Sequence, residues 1–229
     1  MPSKSYGMFC PIAMACEVVE PRWTMLILAE MWLGATRFNE IRRGVPGISP
    51  TLLSKRLKEM GKQGLVERLE DRARGTVDYI RTPMAIELEP VLDLLGDWAY
   101  RHVEPEVALD NLQPDYLMWN LRRQIDPSEL PGRRVVVRFH FPDCKKEEAT
   151  FWLVVRPGTA ADLCLIDPGF DVDLFVEGGL RALGSAWMGY SSLQNEVSAD
   201  RIFLSGDPLL IKTMDRWLVK SENAEAAAE

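Results

Sequence analysis

The sequence predicts an α+β protein of two domains: a mainly helical domain containing a β-hairpin, and a second domain with helices on a mostly antiparallel sheet. Apolar residues recur at helical spacing over much of residues 10–105. Two segments of alternating apolar and polar residues, joined by a polar turn, interrupt this helical pattern. Beyond residue 113, short runs of β-favouring residues replace it. The predicted domains are residues 1–105 and 113–220, and residues 221–229 are predicted to form a disordered tail.

The first helices are predicted from apolar spacing. Residues 9–20 show helical periodicity, and Pro11 suits a first turn because its missing N–H costs nothing there. Residues 23–32 are apolar nearly all round, which is typical of a helix buried at the centre of a small domain. A third, short helix is predicted over residues 37–43.

A fourth helix is predicted over residues 49–60. Ser49 is a favourable N-cap, and Pro50 occupies the first helical position, where its fixed φ favours the helix. Apolar residues at positions i, i+4 and i+7 form the inward stripe, namely Leu53, Leu57 and Met60. The outward face then presents hydroxyls and cations, namely Thr51, Ser54, Lys55, Arg56 and Lys58.

A β-hairpin and a long helix complete the first domain. Apolar and polar residues alternate over residues 65–70 and 76–81, which predicts two strands. The polar turn between them has Arg72 and Arg74 at its tip. A helix is then predicted from about residue 84 to residue 102. It has more apolar surface than a small domain needs for its own core, so a further partner is expected to cover it.

The charges are unevenly distributed along the chain. From Gly34 to Thr82 there are eleven basic and six acidic residues, a net charge of +5, whereas the whole chain of 229 residues has a formal net charge of −7. The remaining residues therefore sum to −12. A basic segment in an otherwise acidic protein is compatible with nucleic-acid binding by that segment alone.

The order of these elements predicts a winged helix-turn-helix that binds double-stranded DNA. Such a fold places its second helix in the major groove, where lysine and arginine side chains neutralise phosphates. For the basic helix alone, the alternative of a solvated surface is the more common explanation. The combination of a preceding helix, the capped helix, the hairpin with two arginines at its tip and a trailing helix favours DNA binding instead. The predicted DNA contacts are Arg37, Ser49, Pro50, Thr51, Ser54, Lys55, Arg56, Lys58, Arg72 and Arg74.

The segment from Cys10 to Trp98 resembles the HxlR-type regulators. The resemblance rests on several motifs in register, among them RWTMLIL at 22–28, RFNEIRR at 37–43, PGIS at 46–49 and LLSKRLKEM at 52–60. It implies a homodimer in which the N-terminal helix and the helix at 84–102 form the subunit interface. Two loops, at residues 20–21 and 82–84, depart from the family pattern outside the recognition helix.

The second domain is predicted to be α+β. Strands are predicted at residues 133–141, 149–156, 160–166, 172–177 and 201–204, and helices at 180–187 and 209–217. The segment from residue 172 to residue 218 resembles the C-terminal part of sterol-carrier-protein-like domains, most clearly in the final strand, its Gly-Asp-Pro and the helix that follows. This resemblance implies an apolar tunnel for a lipid-like or other apolar small molecule.

The candidate tunnel wall consists of apolar and aromatic residues of the last elements. An alternative interpretation is that these side chains are ordinary core, as methionine and aromatic residues at helical spacing usually are. The predicted ligand-binding residues are Leu183, Trp187, Met188, Phe203, Met214 and Trp217.

The sequence contains no recognisable catalytic, metal or cofactor motif. Residues 189–193 lack the second glycine of a nucleophile elbow, and neither a dinucleotide-binding glycine motif nor a P-loop occurs. The four cysteines and two histidines do not have zinc-site spacing, and no apolar run is long enough to span a bilayer. We therefore expect no enzyme activity, no cofactor, no metal and no membrane insertion, and a cytoplasmic location.

Cys10 leaves a second hypothesis open. In some HxlR-type regulators a cysteine at the matching position senses oxidants or electrophiles, and a helix N-terminus favours the reactive thiolate. The alternative is a cysteine that packs as a small hydrophobic residue. Three functions therefore remain: a DNA-binding regulator controlled by an apolar ligand, a thiol-sensing regulator acting through Cys10, and a lipid-binding or interaction module with a vestigial winged helix.

Overall fold

The computed structural model describes residues 5–104 and 109–220, and its contacts divide the chain into two units, Met1–Leu95 and Gly96–Glu229. The division falls earlier than the boundary predicted near residues 105–113, part of which lies outside the described residues. The predicted tail at 221–229 also lies outside them.

The elements of the first unit follow the predicted order. A helix-turn-helix followed by a two-stranded wing is a winged helix-turn-helix. The elements up to the division are α1 (Pro11–Val19), α2 (Thr24–Trp32), α3 (Phe38–Gly44), α4 (Pro50–Lys62), β1 (Val66–Asp71), β2 (Thr76–Arg81) and α5 (Pro83–Ile86). Helix α6 (Glu89–His102) begins in the first unit and ends in the second.

The core of the first unit forms around α2 and α4. Burial of an aliphatic side chain contributes roughly 1.5–3 kcal/mol, so the inward stripe of α4 fixes which of its faces points outward. The predicted stripe is confirmed. The buried residues that α2 and α4 contribute to this core are Ile27, Leu28, Met31, Leu53, Leu57 and Met60.

The start of α4 and the hairpin are held by short-range hydrogen bonds. The Ser49 hydroxyl accepts a bond from the Leu52 N–H at 3.2 Å, which confirms the predicted N-cap. Strands β1 and β2 pair antiparallel with Val66 opposite Arg81. The Tyr79 N–H of β2 donates to the Thr36 carbonyl at 2.8 Å, so the wing is anchored to the segment before α3.

The single helix predicted from residue 84 to residue 102 is wrong, because two helices, α5 and α6, are separated by a turn at residues 87–88. Pro90 explains the break. A proline inside a helix cannot donate to the carbonyl four residues earlier and its ring collides with that carbonyl. Pro90 instead occupies the first turn of α6, where no such bond is needed.

The second unit is α+β, as predicted. Its sheet has the strand order β5-β4-β3-β6-β7, in which β3 and β6 are parallel and the other pairs antiparallel. The elements that follow α6 are α7 (Pro114–Leu121), β3 (Val135–His140), β4 (Thr150–Val155), β5 (Asp162–Cys164), β6 (Leu174–Gly178), α8 (Leu180–Trp187), α9 (Leu193–Ser198), β7 (Ile202–Gly206), α10 (Pro208–Lys212) and α11 (Met214–Trp217).

All five predicted strands are present, but the helices differ from the prediction. The helix expected at residues 209–217 is divided at Thr213 into α10 and α11, and the Thr213 hydroxyl donates to the Leu209 carbonyl at 2.9 Å. Helices α7 and α9 were not predicted. Helix α7 contributes Leu117 and Leu121 to the core between the sheet and the helices.

Candidate nucleic-acid interface

The outward face of α4 presents the polar groups that the sequence predicted. Hydroxyl and lysine side chains lie on this face because Leu53, Leu57 and Met60 hold the opposite face in the core. The exposed residues of the predicted set on and before this helix are Ser49, Pro50, Thr51, Ser54, Lys55 and Lys58.

Arg56 is less available than its neighbours. Its side chain is 20% exposed, and its guanidinium pairs with Glu59 at 2.6 Å. The Nε–H of Arg56 has no hydrogen-bond partner among the described residues. Glu59 also lies 3.9 Å from the Lys55 ammonium. One carboxylate therefore offsets two of the cations predicted to contact DNA.

The tip of the wing is exposed and locally ordered. The Asp71 carboxylate accepts hydrogen bonds from the N–H groups of Ala73 and Arg74, at 3.0 and 3.1 Å, which closes the turn. Arg74 also lies 3.6 Å from Asp71 and stays 80% exposed. Arg72 is exposed and forms no ion pair with a described residue.

Arg37 has a structural partner. Its guanidinium pairs with Asp78 of β2 at 2.5 Å, and the Thr36 hydroxyl donates to the same carboxylate at 3.1 Å. These bonds connect the start of α3 to the wing. The predicted contact of Arg37 with DNA therefore competes with a pair inside the protein.

Replacement of Glu59 by glutamine is expected to raise the affinity for duplex DNA by about threefold to tenfold, because it removes a negative charge and releases Arg56 and Lys55. The lost surface pairs contribute only about 0.3–0.5 kcal/mol each, so the fold should persist. The measurement is fluorescence anisotropy of a labelled duplex. Glu87→Gln, an exposed site between α5 and α6, is the matched control. An unchanged or lower affinity in Glu59→Gln would contradict this role.

The six residues predicted to line a ligand tunnel lie in different surroundings. Leu183, Met214 and Trp217 belong to the packed core of the second unit, and Trp187 packs against it. Met188 is half-buried. Phe203, by contrast, is 57% exposed and lines an open cavity.

Sequence reasoning missed most of the groups around that cavity. It is bounded by charged residues and by Tyr190, which come from β6, α8, α9 and the segments between them. Pairing of β6 with β7 brings Glu177 opposite Phe203. That register is not visible in the spacing of the two residues along the chain.

Cys10 lies at the start of α1. It is the N-cap residue of this helix and is half-buried, and its thiol is free, as is that of Cys16. Among the described residues, no three or more His, Cys, Asp or Glu side chains come together in a group that could hold a metal ion. Nor does any helix of residues 5–104 or 109–220 have the length and apolar character needed to cross a membrane.

Comparisons with known proteins point to a single family for the first unit. The family model described as HxlR-like helix-turn-helix matches residues 18–107. The uncharacterized HTH-type transcriptional regulator YvaP of Bacillus subtilis is 32% identical over 98 residues, which cover 42% of this chain and 91% of YvaP. YkvN of the same organism, named in the same way, is 30% identical over 112 residues, covering 47% of this chain and 95% of its own.

One solved structure illustrates the extent of the similarity. The reduced form of the transcriptional regulator YodB from B. subtilis is 33% identical and covers 43% of this chain and 98% of that chain, with a TM-score of 0.38. These three relatives each cover less than half of the chain.

Proposed function

Because the chain belongs to the HxlR-like helix-turn-helix family of transcriptional regulators, we propose that it binds duplex DNA as a homodimer and is controlled by a small molecule bound in its second unit. Helix α4 enters the major groove in this proposal, and the wing contacts the adjacent backbone or minor groove. A lipid-like ligand in the sterol-carrier-like domain was the expectation from sequence.

One observation carries the DNA-binding proposal: the outward face of α4 is free of apolar core residues and presents Ser54, Lys55 and Lys58 to solvent. Lysines at such positions neutralise phosphates and release counterions. The N–H groups of the first turn, after Ser49, can donate to a phosphate oxygen and are favoured by the helix dipole. The hydroxyl and ammonium groups on this face can donate hydrogen bonds to the base edges and the phosphate backbone of the DNA.

This proposal is tested by fluorescence anisotropy of a labelled duplex with the full-length protein at several salt concentrations. Binding should weaken steeply as salt rises, with a slope of log K against log salt of about −0.9 for each phosphate contacted. A slope near zero would show that α4 and the wing do not contact the phosphate backbone.

Exposed apolar side chains support the homodimer. Helix α1 has no buried residue, and Ile12 is 72% exposed. On α6, Leu94 is 64% exposed and Val91, Leu95 and Trp98 are exposed as well. Patches of this kind on a folded protein usually mark an interface, and most soluble oligomers are two-fold symmetric. The proposed interface is therefore formed by α1 and α6 of two copies.

A Leu94→Asp substitution is expected to convert the dimer to a monomer, because it places a carboxylate in an apolar interface. Sedimentation equilibrium should show the mass falling by half, and affinity for a duplex with two half-sites should fall with it. Ile166→Asp makes the same change at a site in the second unit that is exposed and outside both helices. A dimer that persists in Leu94→Asp, or a wild-type monomer, would overturn this interface.

Thiol sensing through Cys10 is the alternative. Its half-buried thiol lies at the N-terminus of α1, which is one of the two helices of the proposed interface. Oxidation there would change the interface directly. Under this alternative, a thiol oxidant lowers the DNA affinity of the wild type and leaves Cys10→Ser unaffected.

A further inference from the structure

The second unit contains an open cavity of about 830 Å³ whose use the sequence did not predict. One side is formed by the end of β6 with Gly178 and Gly179, and the first turn of α8 follows from it. A Cβ on Gly178 would lie 2.5 Å from the Arg201 carbonyl oxygen, so only glycine fits at this position. The cavity is large enough for a small organic molecule.

An aromatic ring and a carboxylate lie side by side in this cavity. Glu177 of β6 and Phe203 of β7 are direct partners in the antiparallel pairing, so their side chains project from the same face of the sheet. Both side chains are exposed, and both line the cavity. A ring face next to a carboxylate attracts an organic cation through the ring quadrupole and through charge.

The two arginines of the cavity are already paired with acids. Arg181 lies 2.6 Å from Asp110. Arg201 donates two bonds to Glu196, at 2.5 and 3.0 Å, and these bonds hold the pKa of the Glu196 carboxyl below its usual range. Glu196 is only 3% exposed, so this pair is fixed in the wall of the cavity.

Two carboxylates of the cavity remain without a counter-charge. Glu177 and Asp200 form no ion pair with a described residue, and both are exposed in the cavity lining. The excess charge of the lining is therefore negative. An anionic ligand is disfavoured, as is a wholly apolar lipid, which would leave these charges without water or a partner.

We propose that this cavity binds an organic cation with aromatic or bulky apolar groups, held between the Phe203 ring and the Glu177 carboxylate. The inference rests on the proposed function in one respect: the cation would be the small molecule that controls DNA binding. The proposed ligand is charged, unlike the lipid-like ligand expected from the sequence. The proposed site lies in the open cavity lined by Glu177 and Phe203, and not among the core residues Leu183, Met214 and Trp217.

A ring stack connects the cavity to α6. Tyr190 lines the cavity and stacks on Tyr100, with centroids 5.8 Å apart and an interplanar angle of 29°. The Tyr100 hydroxyl also donates to the Met188 carbonyl at 3.4 Å. Tyr100 belongs to α6, so a ligand that displaces Tyr190 would act on this helix.

The binding test uses tetraphenylphosphonium and tetraphenylborate, which have nearly the same size and apolar surface but opposite charge. Isothermal titration calorimetry with the full-length protein should show the cation binding and the anion binding at least about tenfold more weakly. Glu177→Gln and Phe203→Ala should each weaken binding of the cation by about fivefold. Glu147→Gln, an exposed carboxylate outside the cavity lining, should leave it unchanged.

Equal binding of the two ions, or binding that neither cavity variant weakens, would overturn the site. Such a result leaves the DNA-binding proposal standing, because that proposal is measured separately by the salt dependence of duplex binding. The coupling is tested by the DNA affinity with and without saturating tetraphenylphosphonium. Tyr100→Leu should retain binding of the cation and lose its effect on DNA affinity. A cation that binds without changing the DNA affinity of the wild type would overturn the effector role.

Discussion

Replacing Lys55 and Lys58 together with alanine is expected to lower the affinity of the full-length protein for duplex DNA by roughly 60-fold at about 0.1 M salt. The estimate follows from counterion release, in which each lost phosphate contact removes about 0.9 from the magnitude of the slope of log K against log salt. Both lysines are exposed on the outward face of α4, opposite the stripe that holds the helix in the core. The slope itself should fall in magnitude by about 1.8.

A matched control separates this local effect from a change in net charge. Lys145 and Lys146 are exposed lysines of the second unit, and replacing both with alanine changes the charge of the chain by the same amount. The control should leave the slope unchanged. If both double variants lose the same affinity, the attraction is a property of the whole molecule and not of α4.

Replacing Trp217 with alanine is expected to lower the free energy of unfolding of the second unit by about 3–5 kcal/mol. Trp217 is fully buried in the core, and its indole N–H donates to the Leu210 carbonyl at 3.0 Å. The substitution leaves both a cavity and an unpaired carbonyl. Thermal unfolding followed by tryptophan fluorescence and circular dichroism should show an earlier transition for the second unit.

This prediction also tests the interpretation of Trp217 as the wall of a ligand tunnel. A tunnel wall would tolerate truncation with a small loss of stability and a large loss of ligand affinity. Leu209→Ala, at an exposed position on the neighbouring α10, should change stability by no more than about 0.5 kcal/mol. A similarly small change in Trp217→Ala would contradict the assignment of Trp217 to the core.

Features that depend on local sequence were predicted well. The Ser49-Pro50 start of α4 and its inward stripe follow from capping and 3.6-residue periodicity, and both signals act within a few residues. The hairpin was equally visible, from two alternating segments around a polar turn. The break between α5 and α6 was missed although Pro90 marks it, because the apolar spacing on both sides continues in phase.

Features that depend on tertiary pairing were not predictable in the same way. Arg37 was predicted to contact DNA, and no local signal indicated its ion pair with Asp78 on a distant strand. The ion pair of Glu59 with Arg56 could have been predicted from the sequence, since residues three apart on a helix are neighbours. The cavity could not have been predicted in this way, because Glu177 lies opposite Phe203 only through the register of β6 and β7.

We propose, above all, that the chain binds specific DNA as a two-fold symmetric dimer. The most direct measurement is a nuclease footprint of the full-length protein on the DNA upstream of its own gene, with a shuffled duplex of the same composition as competitor. We predict protection of two related half-sites in inverted orientation, centred about 10 base pairs or one helical turn apart, that survives an excess of the shuffled competitor. Protection that the shuffled duplex abolishes at equal concentration, or no discrete protected segment at all, would contradict the account.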